Sequence, residues 1–300
     1  MKQIAIIGGG VAGLTAAVYA LRANAEVTLF EQFGLGGLTA TIASIENYPS
    51  YKSVEGWQLA SNVADQAKSL GLKTVRSRVL SLTKDGDTFT VTTDKGQFQF
   101  PAVVVATGTA HNKLGFESPY VGKGVSYCAT CDGNFYKNLP VAVVGGGNQA
   151  VKEALYLADI CSAVYVIVPN KEFSAEERAV SELLQKKNVK VLYNCQVSAI
   201  HCDDVVTGAD VFDGKNTHKL QVKGIFIAIG ALPVTEFINI EGLDRKNGYL
   251  VVDGRAETNI AGLFAAGDVT NGALKQIVTA CGDGAKAGSF ASAYAAKFSK

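Results

Sequence analysis

The chain has 300 residues, which suits two domains of ordinary size better than one small core. A hydrophobic fraction of 48%, a charged fraction of 18%, and 32 Gly against 6 Pro describe a globular protein with tight turns, and exclude a disordered chain. With a formal net charge of +1 there is no global attraction to nucleic acid or to an anionic membrane, and no apolar run reaches the roughly 18 residues of a membrane span.

Ile4-Ala5-Ile6-Ile7 reads as a buried strand running straight into Gly8, too short an apolar run for a signal peptide, so a cytoplasmic location is expected. Gly8-x-Gly10-x-x-Gly13 leads into a helix through Ala16-Ala17-Val18-Tyr19-Ala20-Leu21. A strand, Val27-Thr28-Leu29-Phe30, then ends at Glu31, 18 residues after Gly13. Glycines let the backbone approach a pyrophosphate at the helix N-terminus, where unpaired amides favour an anion, and the Glu31 carboxylate can accept from a ribose hydroxyl. A plain glycine turn beside a surface glutamate is the alternative. The complete strand–turn–helix–strand–acid context favours a dinucleotide.

Lys84-Asp85-Gly86-Asp87 reads as a hairpin turn before the alternating strand Phe89-Thr90-Val91-Thr92, and Asp213-Gly214-Lys215-Asn216 reads as another. Between them the opening motif recurs. Val141-Ala142-Val143-Val144 meets Gly145-Gly146-Gly147, a helix carries Glu153-Ala154-Leu155-Tyr156-Leu157-Ala158, and the strand Val164-Tyr165-Val166-Ile167-Val168 follows. The predicted fold is therefore α/β, with two Rossmann-like domains. Near the end, Gly262-Leu263-Phe264-Ala265-Ala266 is a strand ending at Gly267-Asp268, and Ile277 to Phe298, rich in Ala, Gly and Ser, is a tightly packed helix. This segment has no sheet of its own, so it returns to the first domain. Residues 1–111 and 245–300 form that domain, and 112–244 are inserted, with crossings near His111 and Asp244.

The six cysteines are Cys128, Cys131, Cys161, Cys195, Cys202 and Cys281, and only the first two make a motif, Cys128-Ala129-Thr130-Cys131-Asp132. Thiols at this spacing close a disulfide that is readily reduced and re-formed. Half of a zinc site is the alternative, but no second Cys-x-x-Cys or Cys/His pair completes it, so no metal is expected. Asp132 reads equally as a turn residue before Gly133 and as an acid beside the thiols. None of His111, His201 or His218 falls in the motif, so no histidine base is expected.

With Gly36-Gly37, Glu46-Asn47-Tyr48-Pro49, Ala106-Thr107-Gly108, Gly267-Asp268 and Lys275-Gln276-Ile277, the first domain resembles the FAD domain of the two-dinucleotide flavoproteins. Cys-Ala-Thr-Cys-Asp just before the second domain is similar to the low-molecular-weight thioredoxin reductases, and the likeness runs from Ile4 to Phe298. It implies FAD as cofactor, Asp268 on the ribityl chain, Asn47 near the flavin, and the final helix aimed by its N-terminus at the isoalloxazine. It further implies that Cys131 receives electrons from the flavin, that Cys128 attacks the disulfide of a thioredoxin-like protein, that Asp132 manages the proton, and that the enzyme is a homodimer.

The second glycine turn, Gly145-x-Gly147-x-x-Ala150, departs from that family. NADPH-using members carry a His-Arg-Arg-x-x-x-Arg pattern where this chain has Val168-Pro169-Asn170-Lys171-Glu172-Phe173-Ser174, without an arginine fork for a 2′-phosphate or a strand-end acid for an NADH ribose. The resemblance then points to members that use no pyridine nucleotide, the ferredoxin-dependent ones among them. NAD(P)H is a doubtful cofactor, and ferredoxin or another protein donor is expected. The rivals are an NAD(P)H-dependent reductase with an unconventional pocket and a flavin redox sensor without turnover. Residues 112–244 carry −3 and the remainder +4, a mild basic bias that would suit an acidic electron carrier docking on the FAD domain.

Overall fold

The computed structural model describes residues 2–42 and 44–298. The first compact unit takes in the chain up to Ala110 and again from Leu232 onward; the second is His111–Ala231.

In chain order the first unit contributes β1 (Gln3–Ile7), α1 (Val11–Arg22), β2 (Glu26–Glu31), α2 (Gly56–Ser69), β3 (Lys73–Arg76) and β4 (Ala102–Val105). The second unit holds β5 (Val125–Ser126), α3 (Ala129–Asp132), β6 (Pro140–Val144), α4 (Asn148–Ala158), β7 (Ala163–Val168), α5 (Glu177–Gln185), β8 (Val189–Tyr193) and β9 (Gly224–Ile227). The returning segment supplies β10 (Leu263–Ala265) and α6 (Ile277–Ala295).

The first unit's sheet has the order β10-β4-β1-β2-β3, and all its pairs are parallel. Strands β1, β4 and β10 are apolar on both sides because both faces are covered there, whereas the edge strand β3 is mostly exposed. Ile4 and Ile6 lie in the core shared with α1 and α6. The alternate residues Ala5 and Ile7 lie in a second core with Leu82, Phe89 and Val91, from a three-stranded antiparallel sheet spanning residues 79–100. The small-residue composition of α6 has a direct cause. A Cβ on Gly284 would sit 2.2 Å from Ala12 O, and one on Gly288 2.1 Å from Ala16 O, so α6 lies backbone-close on α1 along an i, i+4 glycine pair.

The second unit repeats the plan. Its sheet, ordered β8-β7-β6-β9-β5, is parallel throughout. Val141 and Val143 face α4, while Ala142 and Val144 face Val197, Ile200 and Val206 of an antiparallel sheet spanning residues 196–220.

The return crossing falls at Ala231/Leu232 and not near Asp244. Residues beyond Leu232 are already tied to the first unit: Val234 N donates to Gly108 O (3.1 Å), Leu82 N to Phe237 O (2.8 Å), and Asn239 N to Leu82 O (2.9 Å), while Ile238 is buried with Leu82. This shift moves Glu236, Glu241 and Asp244, with no basic residue among them, out of the inserted unit. Its charge rises from −3 to 0 and that of the first unit falls from +4 to +1, so the basic bias expected of the first domain disappears. Among the described residues no helix is long and apolar enough to cross a membrane.

Candidate active site

The nucleotide-type residues of the first unit all gather at the carboxyl ends of its parallel strands, where ligands of open α/β sheets bind. β1 delivers Gly8, Gly10 and Gly13; β2 delivers Glu31; β4 delivers Ala106, Thr107 and Gly108; β10 delivers Gly267 and Asp268. At Gly8 (φ 106°) a Cβ would lie 2.4 Å from Ala106 O, and at Gly13 it would lie 2.0 Å from Gly8 O, so neither position admits a side chain. Gly10, the N-cap of α1, has a different reason to be glycine. Only Gly37 Cα, 4.0 Å away, borders its missing Cβ, leaving bare backbone in front of the helix N-terminus. Gly36 N closes the turn by donating to Gly9 O at 2.8 Å. A pyrophosphate fits this cradle.

Glu31 is tied in place: Oε2 accepts from Gly9 N (2.8 Å) and Oε1 from Phe33 N (2.9 Å), which leaves lone pairs for a ribose hydroxyl. Burial pushes the Asp268 carboxyl above its ordinary range, against the pull of Lys275. Lys275 Nζ donates to the carbonyls of Asp268 and Thr270 and lies 4.7 Å over the Tyr249 ring. Asn47 Nδ2 donates to Gln276 Oε1 (2.9 Å), bringing two expected flavin neighbours together beside Ile277, the first residue of α6. Residues of this composition fit FAD.

In the second unit Cys128 and Cys131 form a disulfide, with Cα atoms 5.3 Å apart. Cys128 is the N-cap of α3, and its Sγ accepts from Cys131 N at 3.2 Å, with the Thr130 hydroxyl at 3.4 Å. An N–H aimed at that sulfur favours its thiolate once the bond opens. Asp132 Oδ2 accepts from the Ser126 hydroxyl (2.6 Å), yet burial still raises its pKa, the condition of a carboxyl able to hold a proton. Ser126 was not legible as a site residue; its hydroxyl also accepts from Cys128 N (3.0 Å) and so links both ends of the dithiol turn. Among the described residues no cluster of three or more His, Cys, Asp and Glu side chains could hold a metal ion.

The second glycine turn superposes in its hydrogen bonding on the first. Gly8 N donates to Phe30 O (2.9 Å), as Gly145 N does to Ile167 O (3.0 Å); Gly36 N donates to Gly9 O, as Ser174 N does to Gly146 O (2.8 Å). The side chains diverge. Where a Cβ on Gly9 would meet Glu31 Cγ at 3.0 Å, one on Gly146 would meet Val168 Cγ1 at 2.8 Å. Val168 is fully buried and apolar, so this turn lacks the carboxylate that the first turn holds. Lys171 and Glu172 are both exposed beyond it.

The model of the pyridine nucleotide-disulphide oxidoreductase family matches residues 2–284. The chain belongs to that family. A thioredoxin reductase from Treponema pallidum is 36% identical to it, over 97% of this chain and 96% of the relative. The crystal structure of a thioredoxin reductase from Streptococcus pyogenes, 32% identical, matches with a TM-score of 0.94 and covers 99% of both chains. That of a ferredoxin-flavin thioredoxin reductase from Clostridium acetobutylicum, 29% identical, matches with a TM-score of 0.55, also over 99% of both. As a member of the pyridine nucleotide-disulphide oxidoreductases with a Cys128–Cys131 pair, the chain is an FAD-dependent disulfide reductase of the thioredoxin reductase type.

Proposed function

We propose that this thioredoxin reductase draws its electrons from a reduced protein of the ferredoxin class and not from NADPH or NADH. Val168 carries the reading, because it stands where the first unit has Glu31 and leaves the second turn without a ribose acceptor, while no arginine fork follows for a phosphate. The Clostridium acetobutylicum relative, named for ferredoxin and flavin, supports it. Net charge does not, now that the two units carry +1 and 0.

The first unit would hold one FAD, with Gly8, Gly10 and Gly13 at the pyrophosphate, Glu31 at a ribose, and Asp268 at the ribityl chain. Gly36, Gly37, Ala106, Thr107, Gly108 and Gly267 would line the backbone walls of its site, and Asn47, Lys275, Gln276 and Ile277 would hold its flavin end. Bound there, FAD would supply two-electron redox chemistry between a donor and the disulfide. Opening the Cys128–Cys131 bond consumes two electrons and two protons, and Asp132 is the acid that supplies a proton beside the turn. The Cys128 thiolate then attacks one sulfur of the thioredoxin disulfide, and the departing thioredoxin thiolate takes a proton. Cys131 attacks Cys128 Sγ in turn, re-forming the enzyme disulfide and releasing thioredoxin as its dithiol. The enzyme acts in the cytoplasm as a homodimer, with Cys161, Cys195, Cys202 and Cys281 as free thiols.

Anaerobic rapid mixing of one preparation with NADPH, NADH and reduced ferredoxin tests the donor. Ferredoxin should bleach the flavin at catalytic speed and both nucleotides should do so poorly. Fast bleaching by micromolar NADPH or NADH would make this an ordinary nucleotide-dependent reductase with an unfamiliar pocket. Failure to reduce thioredoxin with any donor would leave a redox sensor.

A further inference from the structure

Tyr127, the residue before the first redox cysteine, is anchored away from the dithiol. Its hydroxyl donates to Glu117 Oε1 at 2.6 Å. Glu117 is 0% exposed and accepts at the same time from Leu114 N (3.1 Å) and Gly115 N (2.8 Å). Burial alone would raise that carboxyl, but the Tyr127 hydroxyl and the backbone donors outweigh it and hold it below its ordinary range, so Glu117 is an ionised, fully engaged acceptor. The His111 ring stacks on Tyr127 with centroids 4.7 Å apart and planes at 15°. All of these groups belong to the second unit.

Besides that anchor, the Cys128 end of the turn rests on the buried Val125 and Ala129 on either side of it and on two short elements. β5 is a two-residue strand at the sheet edge, and α3 has four residues, too few to persist by its own hydrogen bonds. In the oxidised protein the sulfur–sulfur bond closes the turn. Reduction removes that closure and leaves the local hydrogen bonds of Ser126 and of the Cys131 and Asp132 N–H groups to Cys128 O, the buried Ala129, and the longer-range Tyr127 anchor.

We infer that the Tyr127–Glu117 bond, backed by the His111 stack, is a positioning device that keeps the reduced turn in its disulfide-closing geometry and thereby sets the reduction potential of the Cys128–Cys131 couple. An intramolecular disulfide forms in proportion to the effective concentration of one thiol at the other. A loosened Cys128 end gains freedom only when the bond is open, so the dithiol is favoured and the couple becomes more oxidising. The inference requires only that the pair is redox-active and is independent of the electron donor.

The test equilibrates the full-length holoprotein anaerobically with mixtures of reduced and oxidised dithiothreitol. In that exchange the enzyme disulfide gains two electrons and two protons as dithiothreitol loses them and closes its own ring. Alkylation and mass measurement then count the free thiols. Tyr127→Phe removes the hydroxyl and leaves Glu117 its backbone donors. It should shift the equilibrium about tenfold toward the dithiol, a rise of about 30 mV for a two-electron couple. His111→Ala should shift it the same way by a smaller factor. A merely structural role for Tyr127 would lower the melting temperature and leave the equilibrium unmoved. An equilibrium within twofold of the parent in Tyr127→Phe overturns the inference; if that variant does not fold, the same outcome in His111→Ala does so.

Discussion

Glu153 offers a quantitative test of how the second unit handles a carboxyl that no sequence motif singles out. It lies on α4, where Gln149 one turn earlier donates to its Oε1 at 3.0 Å, while Oε2 is buried without a partner among the described residues. Burial pushes its pKa up to about 7, with the Gln149 hydrogen bond pulling weakly the other way. The folded chain therefore holds this proton more tightly than the unfolded chain, whose carboxyl titrates near 4.5. Stability from the protonated form is complete below that unfolded value and is lost as pH rises through about 7. A difference of about 2.5 pH units corresponds to at most about 3.4 kcal/mol, of which about 3 kcal/mol is lost between pH 4.5 and pH 8. Glu153→Gln keeps the shape and a hydrogen bond to Gln149 but cannot titrate. Between pH 4.5 and pH 8 the parent should lose up to about 3 kcal/mol that the variant keeps, a relative fall in melting temperature of roughly 5 °C for a chain of 300 residues. Thermal unfolding of both proteins across that range, followed by circular dichroism, measures it. Melting curves that move in parallel with pH would refute the account of Glu153 as a buried neutral acid.

Purified protein should be yellow and release one FAD per chain, and charge reversal at Glu31 or at Asp268 should lower flavin occupancy by at least severalfold, read from the flavin-to-protein absorbance ratio. Full occupancy in both variants would move the cofactor elsewhere. Cys128→Ser and Cys131→Ser should each abolish thioredoxin reduction, by a factor of a thousand or more, since neither can form the exchangeable disulfide. Substantial turnover by either variant in an insulin-coupled thioredoxin assay would remove these cysteines from the mechanism.

The repeated strand–glycine–helix pattern and the Cys-x-x-Cys spacing were legible in the chain because they are local. Period-two burial on a doubly covered parallel sheet demands continuous runs such as Ile4–Ile7 and Val141–Val144, and the tight turns after them demand glycine at Gly8 and Gly145. The missing arginines after Val168 were equally visible, since that absence is read at a fixed offset from the turn. What tertiary structure alone decided concerns partners distant along the chain. The Leu232–Ile240 run has no turn signal, and its membership of the first unit rests on Leu82 and Gly108, which accept and donate its hydrogen bonds from more than 120 residues away. His111 carries no motif, yet the fold lays it on Tyr127. Glu117 is an unremarked loop acid until folding removes it from water and surrounds it with three donors. Residue type and spacing set which local elements form, whereas burial of a charge and the donors that satisfy it exist only once separate segments have packed.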